Sequence, residues 1–150
     1  MDLSYADIAS TIALFLSLVA IFQSASHRTR DMRIKAETDL AFLRAVVALA
    51  PDRISEARNQ WRAAFAARGV LQSSMANQKF DEIDSLRGSL EELVAELGTI
   101  SIPNKPILSG FKIDGCATHI ATAANRWADI DASIESLKNG ARENRELLRR

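Results

Sequence analysis

The pattern of hydrophobic and polar positions divides the chain into an apolar N-terminal stretch and a longer part with helical periodicity. Positions 8 to 22 read IASTIALFLSLVAIF and carry no charge. This apolar core is short of the roughly 20 residues that a helix needs to cross a bilayer. Extending it to positions 5 to 25 includes Tyr5 and Asp7 at its start, and a helix of that length reaches about 31 Å. The stretch therefore predicts a single transmembrane helix.

Charged residues on the two sides of this stretch predict its orientation. Asp2 and Asp7 lie at its start, and a basic flank follows it at Arg28, Arg30, Arg33 and Lys35. Lys and Arg concentrate on the cytoplasmic side of membrane spans. We therefore expect a single-pass protein of the inner (cell) membrane, with its N-terminus outside and its C-terminus in the cytoplasm. The flank is also suited to contact with anionic lipid head groups of the membrane.

Two other interpretations of the apolar stretch compete with a membrane span. Ser24 and Ser26 are small residues at a spacing that suits signal-peptide cleavage, although a signal peptide has a positive N-terminal region and this one is acidic. Alternatively, a short apolar run can be a buried helix of a soluble bundle.

A row of small residues within the stretch bears on assembly. Ala9, Ala13 and Ser17 are spaced by four positions, so they lie on one face of a helix. Such a row lets two transmembrane helices approach closely. Because Ala and Ser are common in membrane spans, composition alone also explains the row.

Beyond the stretch, apolar residues recur every seven positions in three segments. Each segment has two such rows, three positions apart, which is the pattern of helices that pack along a narrow seam. The first segment has the rows Leu40, Val47, Ile54, Trp61 and Leu43, Ala50, Ala57, Ala64. The second has Ile83, Leu90, Leu97 and Leu86, Leu93, Ile100. The third has Ile113, Ile120, Trp127, Ile134, Ala141, Leu148 and Cys116, Ala123, Ile130, Leu137.

These rows predict an all-α fold. We expect a single N-terminal transmembrane helix in an anchor over residues 1–26, followed by a small cytoplasmic helical bundle with coiled-coil-like heptad seams over residues 27–150. An antiparallel bundle within one chain satisfies the seams most simply. Strict seams also suit pairing between chains, so a homo-oligomer is a second expectation.

Proline, glycine and capping residues predict where the first helices begin and end. Pro51 either starts a new helix or kinks a longer one, since proline is tolerated in a first turn. We expect that helix to continue to about position 75. Asn77 is a candidate N-cap for a helix over positions 78 to 97, and Gly98 is placed to end it.

The following segment separates the last helix from the others. Positions 99 to 110, with Pro103 and Pro106, are not compatible with a helix. Ser109 or Asp114 would then cap a final helix over positions 115 to 148.

This loop carries large apolar residues, which should not stay exposed to water. They are Ile100, Ile102, Ile107, Leu108 and Phe111. Loops often pack against their own domain, so the residues either cap the end of the bundle or dock a partner protein.

Composition and charge narrow the function classes. The chain has 19 Lys and Arg and 19 Asp and Glu, so it lacks the basic surplus typical of nucleic-acid-binding proteins. Its single cysteine excludes an internal disulfide framework and fits a reducing compartment. Ala, Leu, Glu and Arg are abundant, which is typical of helical proteins.

Candidate chemistry is sparse. Cys116 and His119 are three positions apart on a predicted helix, with Asp114 nearby, but a zinc site needs three or four ligands. We expect Cys116 to behave as a small buried hydrophobe of the seam. The acidic residues around Glu91 and Glu92 are expected to form the solvated face of their helix, or to meet the basic C-terminal tail.

The expected function is a membrane-anchored helical scaffold or interaction module that holds a partner, or a second copy of itself, at the inner membrane. We predict no enzymatic activity, cofactor, metal or small-molecule substrate. The alternative is a membrane-active effector of the phage-lysis or phage-defence type, acting through an oligomerised anchor. An enzyme that uses Cys116 and His119 lacks an evident third catalytic group.

Overall fold

A computed structural model gives the structure of the chain. It describes the backbone of residues 5–103 and 110–147 and the side chains of residues 14–103 and 112–147. Within these ranges the chain forms four α-helices and no β-strand: α1 (Tyr5–Ala48), α2 (Ala50–Ala67), α3 (Ser74–Thr99) and α4 (Gly110–Glu146). The predicted all-α fold is confirmed, and α1 passes position 26 without interruption.

Polar contacts between helices establish the directions of α1, α2 and α3. Arg44 of α1 donates to the carbonyl oxygen of Leu97 at 2.7 Å, and Arg58 of α2 pairs with Asp84 at 2.6 Å. As the chain advances from α1 to α2, its partners on α3 therefore move backwards. Helix α3 runs antiparallel to α1 and α2.

Helix α4 runs in the same direction as α1 and α2. Arg53 of α2 pairs with Glu135 at 2.8 Å, and Arg145 donates to the carbonyl oxygen of Gln60 at 3.3 Å. The described part of the chain is thus a three-helix bundle, in which α1 and α2 together form one side.

The heptad rows form the core of this bundle. All eight positions of the rows in α1 and α2 are buried, as are most positions of the rows in α3 and α4. Ala36 and Ala76 extend two of the rows by one heptad towards the N-terminus, and both are buried. The predicted helical bundle is confirmed, because burying these apolar side chains along shared seams is what stabilises it.

Aromatic side chains fill the end of the core near the α2–α3 turn. Trp61 and Phe65 stack with ring centroids 5.2 Å apart, and Phe65 meets Phe80 edge to face at 6.1 Å. Both arrangements are favoured by aromatic rings. Trp127, which shares a row with buried residues, is only half-buried.

The chain is interrupted at Leu49 but does not reverse there. Leu49 has φ −87° and ψ −11°, within the right-handed helical region. Pro51 lies in the first turn of α2, where its missing N–H is tolerated. A new helix therefore begins at Ala50, directly before Pro51, and α1 and α2 continue along successive parts of α4.

Helix α2 ends earlier than expected, at Ala67. Gly69 adopts φ 67°, and the N–H of Val70 donates to the carbonyl oxygen of Phe65 at 3.1 Å. This is a Schellman termination, which needs a left-handed residue that glycine adopts at little cost. The prediction of a helix to position 75 was wrong.

Helix α3 is capped by Ser73. Its hydroxyl accepts a hydrogen bond from the N–H of Ala76 at 3.2 Å, the usual role of a serine N-cap. Asn77 lies inside the helix, so its prediction as the cap was wrong. Gly98 does not end α3 either, since the helix continues to Thr99 and Ile100 leaves it in an extended conformation.

Helix α4 begins at Gly110, five residues before the predicted start. Asp114 lies within its first turns and is not the cap, while Ser109 lies outside the described residues. The helix ends at Glu146, and Leu148 also lies outside the described residues.

Candidate interaction surfaces

The N-terminal part of α1 extends beyond the bundle. No residue from 14 to 35 is buried, and Ala36 is the first buried residue of α1 among those whose side chains the structure describes. The section from 14 to 22 exposes large apolar side chains on all sides of the helix. They are Leu14, Phe15, Leu16, Leu18, Val19, Ile21 and Phe22.

A membrane span has no support in the described residues. Across that part of the chain, no helix combines the length and the apolar character needed to cross a bilayer. The predicted span covers positions 5 to 25, and the side chains of positions 5 to 13 lie outside the described residues. The transmembrane assignment stays a prediction.

The predicted membrane flank lies between this apolar section and the core of the bundle. Arg28, Arg30 and Lys35 are exposed. Arg33 is half-buried and donates to Glu37 at 2.7 Å, one turn further along α1. Of the predicted small-residue row, Ser17 is exposed on the apolar section, while the side chains of Ala9 and Ala13 lie outside the described residues.

The start of the α3–α4 loop packs against the bundle. Ile100 and Ile102 are half-buried and contact the core. Arg44 also reaches the carbonyl oxygen of Ile100 at 3.2 Å, which fixes the chain where it leaves α3. This part of the loop therefore caps the bundle. Ile107 and Leu108 lie outside the described residues, as does the side chain of Phe111.

An apolar groove between α1 and α4 is a surface that the sequence analysis missed. It has a volume of about 560 Å³, and its lining comes from α1 and α4. Phe42 lines its α1 wall with 71% of its surface exposed. Ala117, Ala121 and Ala124 line the α4 wall, and Trp127 lies among them. We name this surface the α1–α4 groove.

A signal for the groove is present in the sequence. Ala117, Ala121, Ala124 and Ala128 are spaced by four, three and four positions, which is the spacing of a second seam beside the buried one. All four alanines are exposed. The row was not predicted to form a surface, because alanine is common throughout the chain.

Charged residues line the end of the α1–α4 groove nearest the apolar section. Lys35 and Asp39 belong to the α1 wall, and Asp114 belongs to the α4 wall. All three are exposed. The α1 wall thus carries one cation and one acid, and the α4 wall carries one acid.

Ion pairs connect α4 to α3. Arg126 pairs with Glu96 at 2.5 Å and with Glu92 at 3.4 Å. Glu91 pairs with Arg87 at 3.3 Å on its own helix, and the end of the C-terminal tail that was predicted to meet Glu91 and Glu92, at Arg149 and Arg150, lies outside the described residues. Because α3 and α4 are antiparallel, this part of α3 faces the middle of α4.

Two groups of ion pairs between α2 and α4 shift the pKa of the α2 residue. A hydrogen bond from Arg53 to Glu135, with help from Asp131, raises the pKa of Arg53 against an opposing effect of burial. The hydrogen bond from Lys138 lowers the pKa of Glu56.

Cys116 and His119 do not come together with other ligating groups. Cys116 is half-buried and its thiol donates to the carbonyl oxygen of Ser101 at 3.5 Å, while His119 is exposed. Within the described ranges, no group of three or more His, Cys, Asp or Glu residues is placed to hold a metal ion. Cys116 connects α4 to the start of the loop.

No protein-family model, curated protein or solved structure matches this chain significantly.

Proposed function

We propose that this chain is a membrane-anchored helical interaction module. The N-terminal part of α1 inserts into the inner membrane, and the bundle presents its surface on the cytoplasmic side to a partner protein or to a second copy. The observation that carries the proposal is the exposed apolar section of α1 beyond the bundle.

The physical reason is the cost of leaving this section in water. A helix that is apolar all round belongs in a protein core or a membrane, and the bundle buries none of residues 14–35. Burying one large apolar side chain is worth about 1.5–3 kcal/mol. Several such side chains on one section supply a strong drive into the bilayer.

The residues after this section support the orientation. Arg28 and Arg30 are exposed at the point where the apolar section ends, and basic residues favour the cytoplasmic side. Anionic lipids there attract each such charge by about 1 kcal/mol. The bundle, which starts at Ala36, then lies close to the membrane surface.

Alkaline extraction of cell membranes tests the anchor. We expect the full chain to stay in the membrane pellet, and the double variant Leu16→Arg, Ile21→Arg to move to the soluble fraction, because a central charge costs about 2.5–3.5 kcal/mol in a span. Ile34→Arg is the matched control. Ile34 is also an exposed apolar residue of α1, but it lies outside the proposed span, so this variant should stay in the pellet.

Two results would contradict the proposal. Recovery of the unaltered chain in the soluble fraction would exclude the anchor. A reporter fused after Arg150 that is active only outside the cytoplasm would exclude the orientation.

A further inference from the structure

We propose that the α1–α4 groove binds the same groove of a second copy of this chain, with the two bundles parallel and related by a two-fold axis along their length. The inference rests on the proposed function in one respect: two chains anchored in one membrane by the same end must associate in parallel.

The apolar surface of the groove is shaped for such a partner. Phe42 projects from α1 with most of its ring exposed, and Leu49 is exposed seven residues later. On the opposite wall, Ala121 and Ala124 are short side chains that leave room for a neighbouring ring. One copy thus carries both a projecting aromatic residue and a place that receives one, which is what a two-fold interface requires.

The positions of Phe42 and the alanines along the bundle axis agree with a parallel arrangement of the two copies. Helices α1 and α4 run in the same direction, and the groove places Phe42 and Ala121 in the same lining. A two-fold axis parallel to the bundle packs α1 of one copy against α4 of the other. It keeps every residue at the same height along the bundle axis. Each Phe42 then meets the alanine row of the other copy.

Charge complementarity supports a second copy as the occupant of the groove. Lys35 on the α1 wall and Asp114 on the α4 wall lie at the same end of the groove. The two-fold axis places each Lys35 opposite an Asp114 of the other copy, so two equivalent ion pairs form.

Cross-linking of the full chain in membranes tests the arrangement. In a Cys116→Ser background, one tagged population carries Phe42→Cys and a differently tagged population carries Ala121→Cys. Oxidation of co-expressed chains should give a disulfide-linked heterodimer. Arg87→Cys replaces Ala121→Cys in the control, since Arg87 is exposed on α3 away from the groove, and this pair should not cross-link.

Dilution of the full chain in detergent micelles tests the energetics. Phe42→Glu should raise the dimer dissociation constant by about tenfold or more. It should not change the melting temperature of the dissociated chain at high dilution, because Phe42 is largely exposed in the single chain. Val94→Glu is the matched control. Val94 is exposed on α3, so the dimer should be unaffected.

A charge exchange tests the predicted ion pairs. Lys35→Asp alone and Asp114→Lys alone should each weaken the dimer, and the double variant should restore it. Absence of the heterodimer, equal effects of Phe42→Glu and Val94→Glu, or no recovery in the double variant would each overturn the proposal. Membrane recovery is measured in the same samples. A chain that leaves the membrane but still cross-links would contradict the proposed membrane anchor. A chain that stays in the membrane but does not cross-link would contradict the proposed dimer through the groove.

Discussion

At the residue scale, Gly140 shows how closely α4 packs against α2. A Cβ atom at this position would lie 3.1 Å from Cζ2 of Trp61, which is tighter than ordinary van der Waals contact. Trp61 has little freedom to move, because it is buried, stacks on Phe65 and has the ammonium group of Lys79 at 5.7 Å from its ring. Gly140 is thus a position where the absence of a side chain permits the close approach.

We predict that Gly140→Ala lowers the melting temperature of the full chain in mild detergent. The substitution gains about 0.5–1 kcal/mol of helix propensity, but overpacking a fixed neighbour costs about 1–3 kcal/mol. Gly88→Ala is the matched control, because a Cβ atom there meets nothing within 4 Å. It should raise the melting temperature, and a rise in both variants would show that Trp61 yields easily.

At the scale of the helices, Ser73 decides where α3 begins. Its hydroxyl pairs with one of the N–H groups that the first turn of a helix leaves without a partner. We predict that Ser73→Ala destabilises the fold by about 1 kcal/mol, measured by chemical unfolding of the full chain in mild detergent.

The control for this prediction is Ser85→Ala on the same helix. Ser85 is exposed in the interior of α3, where alanine is the better helix former. It should leave stability unchanged or raise it slightly. Equal losses in both variants would mean that the cap contributes nothing specific.

The helices themselves were predictable, whereas several of their ends were not. The rows that include Leu40, Ile83 and Ile120 recur every seven residues, and all three residues are buried. Gly98 was predicted to end a helix and does not, whereas Gly69, which was not predicted to end one, adopts a positive φ and terminates α2. Where the chain turns depends on which termination also lets the next helix pack, and local sequence does not contain that information.

The candidate surfaces were predictable in part for the same reason. The apolar section and the basic flank depend on composition along the chain, so both could be read from the sequence. The α1–α4 groove depends on how far apart two helices lie at one end of the bundle. Trp127 illustrates this: its heptad position predicts burial, but the open groove leaves it half-exposed.

At the scale of the whole molecule, α4 connects the other helices through polar groups at several levels. Arg126 joins it to Glu96 of α3, and Arg53 of α2 reaches Glu135. Lys138, whose side chain is only 12% exposed, pairs with Glu56 of α2. The contact between α2 and α4 therefore depends on whether the carboxylate of Glu56 is ionised.

The pairing of Glu56 with Lys138 therefore predicts a pH dependence of stability. The hydrogen bond from Lys138 lowers the pKa of Glu56 in the folded state. A lowered folded-state pKa contributes stability that is complete above the unfolded-state value, about 4.3 for glutamate, and is lost as the pH falls through the folded-state value. Glu56→Gln should consequently lower the melting temperature of the full chain in mild detergent at pH 7 and have a much smaller effect at pH 3.

The exposed pair of Arg87 and Glu91 provides the comparison, because Glu91→Gln should change the melting temperature little at either pH. If the effect of Glu56→Gln were as large at pH 3 as at pH 7, the carboxylate charge would not be what stabilises the contact between α2 and α4.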